Sequence, residues 1–343
     1  MEERKSILII YTGGTIGMKI DSASGALVPF NFNQISSEVP ELGKFGYRID
    51  TISYSPLIDS SDVQPSFWQH LANTIEENYE KYNGFVILHG TDTMSFSASA
   101  LSFMLDDLEK PVVFTGSQLP IGMLRTDGKE NLISSVEIAA GTDENGHAMV
   151  PEVCIYFDSM LYRGNRTTKY NAEYFRAFRS PNYPVLAHVG IHIKYETGNI
   201  RYPSRWGRKL KVNSRLSSNV AVLKLFPGIS EAVVDAVIGT AGVRALILET
   251  FGSGNAPTSG WFIDRIKQAV SKGILVVNIT QCLEGKVDMG TYATGVALRD
   301  AGVVGGADMT FEATIAKLFF LLGQEADMLE IRRLMAINMR GEV

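Results

Sequence analysis

The sequence predicts an α/β fold: a larger N-terminal domain with a mostly parallel sheet covered by helices, and a smaller C-terminal α/β domain. Three observations carry this. Short apolar runs alternate with stretches of helical length, the order expected of a parallel sheet covered on both faces. The pattern breaks between Tyr195 and Ser218, where Gly198, Pro203, Gly207 and a run of Arg and Lys replace the large aliphatics. The chain has 343 residues, enough for two domains on either side of that break. The expected division is 1–195, a linker at 196–218, and 219–343.

Each element has its own reason. Ser6 to Tyr11 is an apolar run that reads as a buried strand, and Gly13 and Gly14 end it in a sharp turn. Ile16 to Asn33 carries Gly17, Gly25 and Pro29 with little periodicity, and is expected to be a mobile loop able to act as a lid. Arg48 to Ser55 alternates as strands do. Pro65 to Tyr82 reads as a helix with Pro65 and Ser66 at its start. Phe85 to Leu88 is a strand ending in His89-Gly90-Thr91-Asp92-Thr93. A helix over Met94 to Leu105 follows, and Ala98, Ser99 and Ala100 let it pack closely on a sheet. Val112 to Thr115 is the next strand, ending in Gly116-Ser117-Gln118. Asp127 to Ala140 is a helix and Val153 to Phe157 a strand. Beyond the break, Val220 to Phe226, Ala245 to Leu248 and Ile274 to Ile279 are strands. Ser230 to Ile238 and Ser259 to Lys272 are helices between them. Phe311 to Leu322 and Ala326 to Asn338 read as closing helices.

Composition narrows the function classes. Hydrophobic residues make up 45% and charged residues 20%, so a substantial core can be buried. The net charge is −5 with mixed signs and no long basic run, which argues against nucleic acid as a partner. Two cysteines, Cys154 and Cys282, make no disulfide framework; both are expected to be buried and free, as suits a reducing compartment. The apolar run near the N-terminus is too short for a secretory signal, and no segment is long enough to span a bilayer. The expected location is the cytoplasm, with no membrane partner.

Candidate chemistry lies at strand ends. Thr15 leaves the first strand beside exposed backbone N–H groups, and ligands of open α/β sheets sit outside the carboxyl ends of strands. A hydroxyl held there is a candidate nucleophile that needs a base; the competing reading is a polar residue that closes a glycine turn. Asp59-Ser60-Ser61 and Thr91-Asp92 follow two further strands and could meet Thr15 on one edge. Asp92 or Thr93 could instead cap the next helix. Lys169, in Arg163-Gly164-Asn165-Arg166-Thr167-Thr168-Lys169, would serve as a base if buried and would be an ordinary solvated residue if not. Other signals are weak. GGTIG lacks the Gly-Lys-Ser/Thr ending of a phosphate loop, no strand leads into GxGxxG, and no GxSxG elbow occurs. His188 and His192 suit one strand face, roughly 13 Å apart, too far to share a metal ion. His70 and His89 show no ligand spacing either.

Longer motifs then identify the chain's relatives. TGGTIGM at Thr12–Met18 and LHGTDTM at Leu88–Met94 resemble the two signatures of the L-asparaginase family. YRGNRTTK at Tyr162–Lys169 and NAPTSG at Asn255–Gly260 strengthen the resemblance; VNITQCLEGKVDMGTYATG and GGADMTFEATIAKL extend it almost to the C-terminus. It is closest to the bacterial type I, cytoplasmic branch. The resemblance implies hydrolysis of L-asparagine to L-aspartate and ammonia without metal or organic cofactor, and a homotetramer built as a dimer of dimers. It implies Thr15 as primary nucleophile. Thr91, Asp92 and Lys169 match the family's second threonine and the polar pair beside it. Asp59, Ser60 and Ser61 match the segment that holds the substrate's α-carboxylate and α-amino group.

Two departures stand out. Some relatives place a tyrosine in the mobile loop near the position of Ala26, yet no tyrosine occurs between Thr12 and Phe45. Some type I members carry an allosteric asparagine site where this chain has Leu246–Asn255 and Thr280-Gln281-Cys282. Glu249 replaces an arginine that would hold the effector's carboxylate, so activation by asparagine is expected to be weak or absent. Two other functions share parts of the pattern. The ammonia-generating subunit of a tRNA-dependent amidotransferase is expected to carry a further N-terminal domain ahead of the glycine turn. A non-catalytic amino-acid sensor is expected to have lost part of the Thr15, Thr91, Asp92 and Lys169 set. Glutamine remains open as a co-substrate.

Overall fold

The structure is a computed structural model that describes residues 4–20, 27–29, 39–258, 260–290, 292–324 and 327–343. Ala26 and much of the expected lid, together with Ser259 and Ala326, lie outside the described residues. The fold is α/β, in two compact units: Met1–Ser214 and Arg215–Val343.

The first unit is built on an eight-stranded sheet. Its strands are β1 (Ser6–Tyr11), β2 (Arg48–Ser53), β3 (Gly84–Leu88), β4 (Val112–Thr115), β5 (Val153–Phe157), β6 (Met160–Arg163), β7 (Ala187–Val189) and β8 (Ile193–Tyr195). The spatial order is β8-β7-β6-β5-β4-β3-β1-β2. From β5 to β2 every pairing is parallel; β6, β7 and β8 add antiparallel pairs at the other side. β3, β4 and β5 are buried along their whole length, which is why their sequences carry no alternation. β2, at the edge, reads RIDTIS and stays partly exposed, and its charges discourage pairing with another chain.

Helices α1 (Pro65–Asn78), α2 (Met94–Met104) and α3 (Gly128–Ala140) belong to this unit. Gly84 on β3 lets α3 come close: a Cβ there would lie 2.2 Å from the Ala139 carbonyl oxygen. The small residues of α2 play the same part, since a Cβ on Gly164 would lie 3.0 Å from that of Ala98. After β1 the chain places β2 on one side of it and β3 on the other. That reversal is a topological switch point, where open α/β sheets leave a crevice at the carboxyl ends of their strands.

Three features of this unit differ from the sequence reading. His188 lies on β7, but His192 sits in the turn before β8, where Gly190 N–H donates to His192 O at 3.2 Å. Gly190 folds the stretch into a hairpin, so the two histidines do not share a strand. The stretch read as a linker contains Lys211–Val212, which pairs with Leu105–Asp106. Arg208 and Lys211 of its charge run reach Asp107 at 2.9 and 3.0 Å. Before β2, Met18–Ile20 pairs antiparallel with Leu27–Pro29, so these described residues of the expected loop are paired strand.

The second unit carries β9 (Val220–Lys224), β10 (Ala245–Thr250), β11 (Leu275–Thr280) and β12 (Val304–Gly305), parallel and in that order. Its helices are α4 (Glu231–Ile238), α5 (Gly260–Ser271), α6 (Ala293–Asp300), α7 (Phe311–Gly323) and α8 (Met328–Met335). Side-chain caps start three of them: Ser230 for α4, Thr310 for α7 and Asp327 for α8. Lys317 on α7 is fully buried, with its ammonium 2.6 Å from the equally buried Glu342 carboxylate. Cys154 is buried as expected, but Cys282 is exposed because it follows the carboxyl end of β11 in a turn.

Candidate active site

Three turns leave the carboxyl ends of β1, β3 and β2 and touch one another through their backbones. Gly13 and Gly14 adopt φ of 139° and 88°, a region that residues with a Cβ rarely enter. Their missing side chains leave room for neighbours. A Cβ on Gly13 would lie 2.2 Å from Ile58 O, and one on Gly14 would lie 2.6 Å from Gly90 N. A Cβ on Gly90 would in turn meet Ser60 Oγ at 2.5 Å. Backbone bonds complete the clasp: Thr12 N–H donates to Leu88 O at 3.0 Å, and Ile58 N–H to Thr12 O at 2.9 Å. Thr15, Asp59-Ser60-Ser61 and Thr91-Asp92 are thereby gathered at the switch point. Thr15, half-buried, opens a short 3-10 turn over Thr15–Gly17.

Lys169 reaches the same place from a short strand. Thr168–Lys169 pairs with Phe178–Arg179. Its Nζ donates to Thr91 Oγ1 at 2.8 Å and to Asp92 Oδ1 at 2.6 Å. The lysine side chain is 17% exposed and the aspartate 66%. An ion pair with one partner so open to water adds only about 0–1 kcal/mol to stability. The ammonium does act on its neighbour: it favours negative charge on the Thr91 oxygen.

Asp59 accepts both the N–H and the hydroxyl of Ser61, at 2.9 and 2.8 Å. Those two bonds, the backbone one first, hold its carboxyl below the usual carboxylate range. Ser60 is buried between this turn and Gly90.

Beneath Thr91 lies a network that sequence reading missed. His89 is buried between Phe67 and Phe114, with ring centroids at 5.5 and 5.9 Å. Its Nδ1 is 2.7 Å from Gly90 O and its Nε2 2.9 Å from Ser97 Oγ. A carbonyl can only accept, so Nδ1 carries the proton and Nε2 accepts from Ser97. Ser97 in turn accepts from Trp68 Nε1 at 2.8 Å. Burial pushes the His89 pKa down from 6.5 to about 4, so the ring is neutral at ordinary pH. A planar trans peptide points N–H and C=O in opposite directions. With Gly90 O held by the ring, the Thr91 N–H is directed away from it. A histidine directly before the Gly-Thr-Asp turn was the available signal, but its spacing suggested no ligand role.

Asp127 organises the turn after β4. Its carboxylate accepts the N–H groups of Gln118 and Leu119 and the amide of Asn131. Desolvation still pushes its pKa up. Gln118, Leu119, Met123, Leu124, Ala172 and Phe175 line a cavity of about 470 Å³ next to this turn and the one after Lys169.

The residues expected to form a second amino-acid site lie at the carboxyl ends of β10 and β11. The Glu249 carboxylate is 3.5 Å from Lys224 Nζ. The Gln281 amide donates to Leu225 O and Glu249 O, at 2.7 and 2.9 Å. Thr280 Oγ1 accepts the Cys282 N–H at 3.0 Å. Among the described residues, no group of three or more His, Cys, Asp and Glu could hold a metal ion, and no helix is long and apolar enough to cross a membrane.

Comparison with known proteins gives the chain's family. Residues 6–201 match the family model "Asparaginase, N-terminal" and residues 219–335 match "Glutaminase/Asparaginase C-terminal domain". The chain belongs to the asparaginase family. L-asparaginase 1 of Escherichia coli (strain K12) is 47% identical over 342 residues, covering 99% of this chain and 98% of that protein. The 60 kDa lysophospholipase of Mus musculus is 40% identical over 368 residues, covering 100% of this chain and 63% of that protein. The crystal structure of L-asparaginase I from Vibrio cholerae O1 biovar eltor str. N16961 matches with a TM-score of 0.90 at 44% identity, over 99% of both chains. The two-domain α/β architecture is thus the one this asparaginase-family chain shares with a solved relative.

Proposed function

We propose that the protein hydrolyses L-asparagine to L-aspartate and ammonia, with Thr15 as nucleophile. One observation carries the reading: the Lys169 ammonium lies on both Thr91 Oγ1 and Asp92, 2.8 and 2.6 Å away, beside the turn that holds Thr15. The α-carboxylate of the substrate takes hydrogen bonds from Ser60 and nearby backbone N–H groups of the Asp59-Ser60-Ser61 turn. Asp92 carries the charge opposite the α-ammonium. Fixing that end delivers the side-chain amide to a set place, and orientation lowers the barrier.

Thr15 Oγ attacks the amide carbon. Its proton passes through Thr91, whose oxygen the Lys169 ammonium steadies. Backbone donors near Thr91 hold the oxyanion, each worth about 3 kcal/mol. The C–N bond breaks, nitrogen takes the proton, and ammonia leaves an acyl-Thr15 ester. Water attacks that ester, and aspartate departs as the threonine regains its proton. No step uses a metal or organic cofactor. The same reading makes the protein a cytoplasmic homotetramer, a dimer of dimers. Glutamine is a minor substrate, because one methylene changes discrimination by only about 1–3 kcal/mol. Glu249, Thr280, Gln281 and Cys282 form a second amino-acid site in which the Glu249 carboxylate, 3.5 Å from Lys224, repels the carboxylate of an asparagine effector.

Ammonia release from asparagine and glutamine, measured across concentration for wild type and Thr15→Ala, tests the reading. Loss of turnover in the variant, with label from a trapped acyl-enzyme on Thr15, supports it. Label on another residue refutes the assignment. A second reading has its own support in the cavity where Leu119, Met123, Leu124 and Phe175 line an apolar side and Gln118, Arg125 and Glu173 a polar one, and in the lysophospholipase relative. The same nucleophile would cleave an acyl ester, so fatty-acid release from lysophosphatidylcholine is the second arm of the assay.

A further inference from the structure

Thr93 stands at the start of α2, where a threonine hydroxyl ordinarily accepts a backbone N–H of the first helical turn. It forms no such cap. Its hydroxyl crosses instead to the carbonyl of Ser60, at 2.6 Å. That carbonyl already accepts the Val63 N–H at 3.3 Å within its own turn, so the second bond is not needed to satisfy a buried acceptor. β1 lies between β2 and β3 in the sheet, so no ladder of strand hydrogen bonds joins the turn bearing Ser60 to the turn bearing Thr91 and Asp92. Gly90 lets the two turns touch; Thr93 ties them.

We infer that Thr93 is a positioning residue that fixes the substrate-end turn at Asp59-Ser60-Ser61 against Thr91 and Asp92. The inference rests on the substrate-end assignment proposed above. The clamp holds the groups that grip the α-carboxylate and α-ammonium at a set separation, in the free enzyme as well as during reaction. An interaction of this kind contributes to ground state and transition state alike, so its loss raises KM and leaves kcat nearly constant.

The test compares asparagine kinetics and thermal midpoints of wild type, Thr93→Val, Thr93→Ser and Ser60→Ala. Valine keeps the shape and removes the hydroxyl. Losing one hydrogen bond is expected to raise KM about three- to tenfold with kcat within about twofold; serine is expected to restore KM. A Thr93→Val enzyme with unchanged KM overturns the inference, as does a fall in kcat and thermal midpoint at constant KM. If Ser60→Ala raises KM while Thr93→Val does not, the substrate-end assignment stands and the clamp alone is wrong. If neither variant raises KM, both fall together.

Discussion

Lowering the pH from 7 to 4 should destabilise the protein by about 3 kcal/mol through His89 alone. The ring is enclosed by Phe67 and Phe114 and already hydrogen-bonded on both nitrogens in its neutral form. Burial depresses its pKa from 6.5 to about 4. Above pH 6.5 the folded and unfolded chains both hold a neutral ring, and His89 adds no pH dependence. Below it the unfolded chain takes up a proton that the fold refuses, so stability falls as the pH falls, and the loss is complete near pH 4. At about 1.36 kcal/mol per pH unit, the gap between 6.5 and about 4 gives the magnitude. His89→Asn is the informative variant. Its side-chain amide can occupy the place of Nδ1 and still donate to Gly90 O, but it does not titrate. Ser97 loses its acceptor, so the variant is expected to be less stable at pH 7 by about 1–3 kcal/mol. Urea unfolding of both proteins at stepped pH separates the effects, since the other carboxylates titrate in both and cancel in the difference. Parallel stability curves between pH 7 and 4 would refute the argument. So would an imidazole NMR signal assigned to His89 that titrates near 6.5, a measurement that needs no variant.

Other expectations follow from single contacts. Gly14→Ala forces a Cβ to 2.6 Å from Gly90 N at φ 88°; it should cost at least about 1–3 kcal/mol and most of the activity, and a stable, fully active variant would sink the account of the clasped turns. Glu342→Ala strands the buried Lys317 ammonium, so chemical unfolding should show a loss of about 3–5 kcal/mol. A single variant as stable as wild type would contradict it. Rate against asparagine concentration should be hyperbolic, because Glu249 repels an effector carboxylate; strongly sigmoidal curves that Glu249→Ala abolishes would count against this.

What the chain reveals without coordinates depends on whether a residue's role is local. β1, β4 and β5 keep the bounds read from their apolar runs, because burial on both faces is written into every position. β6, β7 and β8 escape that reading. β6 ends in Arg163, whose buried guanidinium pairs with Glu152 at 2.6 Å, and β7 and β8 are three residues each, with His188 and Lys194 exposed. Their strand state comes from pairing, not from propensity. The site divides the same way. The strand ends that carry Thr15, Ser60 and Thr91 can be found from pattern, and their roles from family resemblance. The contacts cannot: nothing local says that Gly14 faces Gly90, that Lys169 pairs across to Thr91, or that Thr93 abandons its helix for Ser60. Each is a long-range relation set by strand order. Cys282 shows the limit in reverse, since its mixed stretch reads as buried and the turn after β11 exposes it.

The way the rim is held sets which substitutions the protein can survive. Its three turns are anchored by backbone contacts at Gly13 and Gly14, by the approach of Gly90 to the Ser60 side chain, and by bonds such as Ile58 N–H to Thr12 O. Of the strands beneath them, β1 and β3 are buried almost throughout. The side chains proposed to react add little to this framework: Thr15 is only half-buried, and the Asp92 partner of Lys169 is largely in water. A polar group that the fold does not need for its own cohesion can be shaped by what it must do to a substrate. Thr15→Ala and Lys169→Met should therefore abolish or cripple turnover while the thermal midpoint moves little. Alanine at Gly13 or Gly14 should lower both together, because no room exists for a methyl group where one backbone rests on another, and alanine at Gly90 would drive its Cβ into the Ser60 side chain.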